Sequence, residues 1–346
     1  MTDFAEFHDE LRALARDLLA KSAGEPVPWA TITEAGWPGL AAPSEFDGAG
    51  ATFAEVAVLL GEVGRAAAVT ALPTVLALSV PALAEVAADD LRDTIFRETV
   101  AGRAVPVLVL DAGDTDPAFV LESGPAGSVL TGSAAFVLDA PVADLLLVPI
   151  RASDALVAMV PGTTGLTITS TPLVDATRSA AAVTADRVAV HAVWRFPDHK
   201  APETLRARAA VAVACDSLGS AEAMLAATVA YVRVREQFGR PVGSFQAVKH
   251  ACADMLVQVT VARHLVAAAV QAITEGSAEV TFAAARAKSY TTTAAVRVAG
   301  AALQLHGGFG YTWDSGIHVH LKRATLNRAL FGTPSEHRRM LAARYR

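Results

Sequence analysis

Cysteine is scarce. Cys215 and Cys252 are the only two in 346 residues, and no CxxC spacing joins them. That excludes a paired-cysteine metal or redox motif, and both residues are expected as reduced thiols buried in apolar helical segments. Charge is thin as well. Charged residues make up 18% and hydrophobic ones 53%, a balance that excludes disorder and leaves enough apolar surface for the cores of two or three domains. A basic excess is missing, since 29 Lys and Arg face 35 Asp and Glu for a net charge of -6. No nucleic-acid partner held by phosphate contacts is expected.

Other signals are missing too. Met1 leads straight into an acidic amphipathic segment, so no signal peptide and a cytoplasmic location are expected. The uncharged stretch Ala66–Ala84 is long enough to be weighed as a membrane span. It contains Thr70, Pro73, Thr74, Ser79 and Pro81, and it reads better as a buried helix interrupted by a turn. No membrane span is expected. Asp47-Gly48-Ala49-Gly50 has no preceding strand and no βαβ unit around it, so it is not a dinucleotide fingerprint. Internal repeats and low-complexity linkers are absent.

What is there falls into three stretches. Phe7, Leu11, Leu14 and Leu18 recur at helical spacing with Asp, Glu and Arg between them, which predicts an amphipathic first helix. Gly36–Gly50 is dense in turn formers, and Thr52 with Glu55 forms a capping-box signature ahead of a helix over 53–64. More helix is expected from Ala66 to about Val100. Near residue 103 the apolar period drops towards two. Short Val-, Leu-, Ile- and Thr-rich runs follow at 104–110, 128–130, 134–138, 144–150, 155–160, 166–172 and 181–185. Gly, Pro or Asp breaks them, as in the antiparallel strands of a small sandwich or barrel. From Pro202 the pattern is helical again over 203–234, 246–275, 278–304 and 317–330, long enough for a four-helix bundle. The expected fold is α+β and multidomain: a helical domain over 1–102, an antiparallel β domain over 103–200, and a helical bundle over 201–346.

Two segments carry chemistry. Arg235–Gln246 reads REQFGRPVGSFQ: a helix end with Arg233 and Arg235, a turn at Gly239, and a new helix with Ser244 as its cap. A guanidinium beside a helix start makes a phosphate site, and a plain basic inter-helix loop explains the composition equally well. Gln304–Tyr311 reads QLHGGFGY. Paired glycines let a ligand approach the backbone and offer amides to an anion, while a simple helix C-cap is the alternative.

In their order and surroundings these segments resemble the acyl-CoA dehydrogenase family. The likeness runs along the whole chain, through GWPGLAAPSEFDGAG, LTGSAAFVLDAPVADLLLVPI, REQFGRPVGSFQAVKHACADM and QLHGGFGYTWDSGIHVHLKRA. It implies three domains, FAD as cofactor, an acyl-CoA substrate, an oligomer built as a dimer of dimers, and an acceptor like electron-transfer flavoprotein. Carried over by motif, Arg235, Phe238 and Gln246 contact FAD, Arg235 and Gln246 nearest its phosphates and adenosine. Gln304, Leu305, His306, Gly307 and Gly308 contact the same end of an FAD across a subunit interface, and Thr333 matches a flavin-contacting Thr. The implied reaction is α,β-desaturation of an acyl thioester by a carboxylate base and a hydride acceptor.

The chain departs from that pattern where the base belongs. The family usually places a Glu before a Gly-Thr pair. Here the pair is Gly332–Thr333, and Phe331 precedes it. A minority places the Glu early in the first C-terminal helix, which is Ala209 or a neighbour within RARAAVAV (206–213), again without a carboxylate. The family's Thr-Glu-Pro…Gly-Ser-Asp loop corresponds to VLDAGDTDPAF (109–119), where only Asp116–Pro117 echoes it. No catalytic residue is therefore expected in this chain, with Asp314 a weak substitute that a capping role for the helix from Ile317 explains equally well. Losing a positioned base costs on the order of 10²–10⁴ in rate.

The chain resembles the short, base-lacking subunits of actinobacterial heteromeric enzymes that dehydrogenate bulky or steroid-derived acyl-CoAs. A catalytic partner subunit in an α2β2 heterotetramer is the expected arrangement, with a homo-oligomer as the alternative. A self-sufficient flavoenzyme with a non-standard base, or a non-enzymatic homologue that has lost flavin, are the other readings. His318 and His320, two apart on a helix, point to different faces and are no metal pair. The basic run Lys322, Arg323, Arg328, Arg338 and Arg339 reads as a solvated helix face or a surface that steers CoA phosphates.

Overall fold

The computed structural model of the protein describes residues 4–22, 24–113, 118–124, 127–150 and 154–344. Helices come first: α1 (Phe4–Ala20), α2 (Trp29–Glu34), α3 (Phe53–Arg65), α4 (Leu72–Thr74), α5 (Val80–Glu85) and α6 (Asp90–Val100). Eight strands follow: β1 (Pro106–Leu108), β2 (Ala118–Gly124), β3 (Gly127–Leu138), β4 (Leu145–Pro149), β5 (Ala155–Met159), β6 (Leu166–Ser170), β7 (Ala180–Ala189) and β8 (Ala192–Arg195). The last stretch is α7 (Ala201–Val234), a small hairpin of β9 (Glu236–Gln237) and β10 (Arg240–Pro241), then α8 (Gln246–Thr274), α9 (Val280–Leu305), α10 (Ile317–Ala329) and α11 (Pro334–Ala343). The chain packs into two compact units, one of Met1–Glu25, Ala57–Ala68 and Ala210–Arg346, the other of Pro26–Val56 and Val69–Ala209.

In the second unit the strands make two four-stranded sheets, ordered β1-β4-β5-β8 and β2-β3-β7-β6. Val107, Leu146, Val148, Val157 and Met159 from one sheet share a single apolar cluster with Leu130, Val137, Ala181 and Val183 from the other. This is a sandwich, with alternate side chains of each sheet turned inward. One pair departs from the antiparallel expectation: β1 runs parallel to β4, with Pro106 opposite Leu145. Parallel neighbours need a long connection, and the β2–β3 hairpin supplies it. The two runs at 128–130 and 134–138 are one strand, β3, whose register against β7 shifts at Leu130/Gly132. Both β2 and β8 went unread, because Glu122, Ser123 and Gly124 dilute the first and the second has four residues.

Within that unit, Leu72–Glu85 is one apolar helical rod whose middle, Val75–Ser79, is a π-helical turn. The expected interruption lies before it, in the turns of residues 66–71. Pro81 explains the π turn. It has no N–H to give the Ala77 carbonyl four residues back, and its ring crowds that turn. Arg208 fills the gap, its Nε donating to Ala77 O at 3.2 Å while the guanidinium lies 4.6 Å from the centre of the Phe53 ring. The rod is tied to the sandwich by Thr74 Oγ1, which donates to Asp139 Oδ2, and by Ser79 Oγ, which accepts from Leu108 N.

In the first unit α7 to α10 form the helical bundle, around Met224, Met255, Val259, Val298, Ile317 and Ala324. A fifth helix, α11, starts at a capping box in which Thr333 Oγ1 accepts from Glu336 N and Glu336 Oε2 accepts from Thr333 N. Glycines bring α3 and α7 together. A methyl on Gly64 would meet Asp216 O at 1.9 Å, so backbone touches backbone there. The buried face of α1 is Leu11, Ala15 and Leu19, whereas Phe7 and Leu14 are exposed, so the apolar stripe is rotated from the expected one. Arg16 fixes that rotation: its Nε and Nη2 donate to both oxygens of the buried Glu62 at 2.9 and 3.0 Å.

Among the described residues two helices, α7 and α8, are long and apolar enough to cross a membrane by length and composition. The apolar window of α7 is 72% buried, as a core helix should be, and that of α8 only 28%. Leu256, Val257 and Val261 are exposed along α8. Cys215 is buried, and burial pushes its thiol up to about 12; Cys252 is only partly buried, against expectation, because it lies on this open helix.

Candidate functional site

The end of α7 and the start of α8 are joined by the β9–β10 hairpin, whose two turn residues are Phe238 (φ 54°) and Gly239 (φ 72°). Two successive left-handed residues twist the way a tight hairpin needs. A phenylalanine in that conformation is unusual, and Phe238 is 91% exposed, meeting the Phe245 ring edge-on. Arg235 and Gln246 flank the hairpin and are exposed. Arg235 makes no ion pair among the described residues. Ser244 is not the cap of α8: it lies in a 3₁₀ turn, and Phe245 takes the N-cap position with no side-chain bond.

The second segment closes α9. Gln304 is exposed and its amide donates to Tyr311 Oη, Leu305 is the last helical residue, and a 3₁₀ turn follows over Gly307–Tyr311. His306 is buried and its Nδ1–H donates to Ala302 O at 2.8 Å. Gly307 (φ 59°) and Gly308 have nothing within 4 Å of where a Cβ would stand, so open space lies before this backbone. Tyr231, one helical turn before Arg235, brings the two segments together. Its ring stacks on His306 at 4.3 Å and on Phe309 at 5.9 Å, and its hydroxyl donates to His306 O. Tyr231 was not read from the sequence; its place one turn before a functional Arg was the available signal.

This surface fits the pyrophosphate and adenosine end of a dinucleotide: an unpaired guanidinium, amide side chains, an exposed aromatic ring and a glycine turn with nothing in front of it.

Phe331 and Thr333 stand at the junction of α10 and α11. Phe331 (φ 51°) and Gly332 (φ 93°) are both left-handed; glycine takes that region freely, so the strain falls on Phe331 and the surroundings must hold it. Lys288 holds it from beneath. Fully buried, its Nζ donates to Gly332 O at 3.0 Å and Arg328 O at 3.4 Å, and burial pulls its amine down to about 7. His337 Nε2–H donates to Phe331 O at 3.0 Å, and burial lowers that imidazole too. The Thr333 hydroxyl is committed to the capping box. Lys288 and His337 were not singled out in the sequence, since only their contacts mark them.

Two carboxylates of this unit, Glu336 and Asp216, are engaged. Glu336 is held by the Thr333 N–H and hydroxyl, which lower its pKa. Asp216 is buried against Arg323 (Nη2 to Oδ2, 2.6 Å) and Asn327 (2.6 Å). Arg323 is thus 1% exposed and no part of a solvated face, because α10 turns it inward onto α7; Arg328, Arg338 and Arg339 are exposed. Asp314 is exposed in a 3₁₀ turn and caps nothing: Gly316 holds the N-cap of α10, and Ser315 Oγ accepts from Ile317 N instead. Ala209 is buried. Asp116 and Pro117 lie outside the described residues. His320 bonds Ser220 Oγ and is lowered to about 4 by burial, whereas His318 meets Trp313 edge-on; no metal-binding group of three occurs among the described residues.

Comparison with known proteins settles the family. The acyl-CoA dehydrogenase N-terminal domain matches residues 2–103 and the acyl-CoA dehydrogenase C-terminal domain matches residues 199–345. The chain belongs to the acyl-CoA dehydrogenase family. Its members are oxidoreductases acting on a CH–CH bond, and the helical–β–helical fold is theirs. The chain is 31% identical to acyl-CoA dehydrogenase IpdE2 of Mycolicibacterium smegmatis, over 98% of this chain and 94% of that one. It is 30% identical to acyl-CoA dehydrogenase IpdE2 of Mycobacterium tuberculosis, over 89% and 83%. Among solved structures, a variant of the Tcur3481-Tcur3483 steroid ACAD superposes with a TM-score of 0.87 at 27% identity, covering 98% and 97% of the two chains. The ChsE4-ChsE5 complex from Mycobacterium tuberculosis gives a TM-score of 0.89 at 24% identity, over 97% and 96%, a likeness of fold.

Proposed function

We propose that this acyl-CoA dehydrogenase is the subunit without a base in a heteromeric, FAD-dependent enzyme acting on a bulky acyl-CoA, of steroid-derived kind. One observation supports the reading: an apolar residue, Phe331, stands directly before Gly332–Thr333, while the hairpin and glycine turn keep the features of a phosphate-binding surface. A solved steroid ACAD whose name joins two proteins supports a paired arrangement and a bulky substrate, and the relatives named acyl-CoA dehydrogenase IpdE2 support the reaction class. The three-domain division at 102 and 200 goes with the same reading.

Each group has a role in it. Arg235, Phe238 and Gln246 would contact FAD, Arg235 and Gln246 nearest its phosphates and adenosine, and Gln304, Leu305, His306, Gly307 and Gly308 would offer polar groups and open backbone to the same end of an FAD shared across the subunit interface. Thr333 stands at the flavin, placed by the junction that Lys288 and His337 hold. FAD, when bound, supplies the acceptor for hydride leaving the β-carbon. Proton removal from the α-carbon falls to a carboxylate of the partner subunit, since Phe331 offers only an apolar wall. The exposed apolar side of α8 becomes a subunit contact in an α2β2 assembly, and a protein like electron-transfer flavoprotein takes the electrons.

The test is co-expression with a base-bearing acyl-CoA dehydrogenase, with flavin absorbance and acyl-CoA turnover read on the chain alone and on the pair. Turnover is expected only from the pair. A purified lone chain that desaturates acyl-CoA overturns the proposal.

A further inference from the structure

One cation in the sandwich-bearing unit has no role in the site above. Arg208, near the start of α7, is fixed on two sides, by the 3.2 Å bond from Nε to Ala77 O and by the Phe53 ring 4.6 Å away. No carboxylate of the described residues pairs with it. Glu85 feels it only across space, and burial pushes that carboxyl up. Burial draws the guanidinium itself down to about 10. A desolvated charge without a counter-ion is costly. The bond to Ala77 does not explain the charge, because a neutral donor would satisfy that carbonyl as well. Neither Nη nitrogen has a partner among the described residues, and neither is among the fully buried unpartnered atoms. A planar two-donor edge is therefore held on two sides and left without a partner among the described residues.

We propose that Arg208 is a receptor for a carboxylate, gripped in a two-point contact by its free Nη edge. A planar, singly charged group matches that fork, and the nearby Glu85 disfavours a doubly charged phosphate. Arg208 lies within the 206–213 stretch where the family resemblance places the base of a minority of members. On the proposed function, the carboxylate is then borne by the acyl chain of the thioester, and this form of the inference rests on that reading. A free organic acid is the other source.

The experiment titrates the full chain, its fold checked by circular dichroism, with glutaryl-CoA, pentanoyl-CoA and free glutarate. Glutaryl-CoA is expected to bind at least ~10-fold tighter than pentanoyl-CoA, the worth of one charge-assisted contact. Arg208→Met should erase the preference and Arg208→Lys should keep part of it. Arg208-dependent binding of glutarate with neither thioester bound would support the receptor and count against the acyl-CoA reading. A preference that survives Arg208→Met, or no preference together with no Arg208-dependent glutarate binding, overturns the proposal. Should Arg208→Met unfold, phenylglyoxal modification of Arg208 in the native chain, read by peptide mass spectrometry, decides. Glutarate must slow it, and an unchanged rate is a refutation.

Discussion

Gly219 of α7 lies so close to Gly61 of α3 that a methyl group on Gly219 would stand 1.8 Å from the Gly61 carbonyl oxygen. Neither backbone can yield without parting the two helices. Gly219→Ala is expected to destabilise by about 3 kcal/mol or more, at or above the upper range for overpacking. Gly300 in α9 has open space instead. Gly300→Ala should stabilise by about 0.5–1 kcal/mol through helix propensity. Urea midpoints of the two variants should move in opposite directions.

Lys288 links stability to pH. Its folded pKa, about 7, is depressed from 10.5. Between those values the folded chain carries the neutral amine and the unfolded chain the charged one, so the unfolded state binds more protons. Stability from this group therefore rises with pH from about 7 to 10.5, and it is lost as pH falls towards the folded pKa, by at most roughly 1.4 kcal/mol per pH unit. In Lys288→Met that slope should vanish. The variant should also lose about 1–3 kcal/mol, as Gly332 O and Arg328 O lose their donor. Denaturation at pH 7, 8 and 9 checks both.

Asp216 and Arg323 are buried as a pair. Asp216→Ala should cost about 3–5 kcal/mol, because the guanidinium stays buried without its counter-ion. Asp216→Ala with Arg323→Met should recover most of that loss. Midpoints that simply add would mean that the two are not coupled.

Arg235 makes no ion pair among the described residues and should spend its charge on cofactor phosphates. In the co-expressed complex, Arg235→Ala is expected to weaken FAD retention about 10-fold or more without moving the melting temperature of the flavin-free protein. Flavin absorbance after gel filtration is the measurement. Unchanged retention would separate the hairpin from the cofactor.

Phe331 should be inert as a catalyst. In the active pair, Phe331→Ala should leave turnover within about threefold, whereas removing the partner's carboxylate should cost on the order of 10²–10⁴. A comparable loss from Phe331→Ala would place chemistry at this position.

Much of the fold was legible. The change of apolar period near residue 103 marks the strands, and the helices expected over 246–275 and 278–304 form as Gln246–Thr274 and Val280–Leu305 because their patterns run unbroken for many turns. The Thr52–Glu55 signature is realised, with Glu55 Oε2 accepting from Thr52 N. Short elements were not legible. β8 has only four residues, and its pairing with β5 comes from a partner distant in sequence.

By its own order of residues the sequence determined the helical–β–helical succession, the register of the two motifs, and the lack of a carboxylate before Gly332–Thr333. Tertiary structure alone decided which side of α1 is buried, that Arg323 turns inward, that Lys288 lies under the Phe331 junction, and that Arg208 keeps a free edge. The cause is the same in each case. Burial and charge pairing depend on neighbours that folding supplies, such as Asp216, which lies 107 residues from Arg323, and no local pattern encodes a contact at that distance.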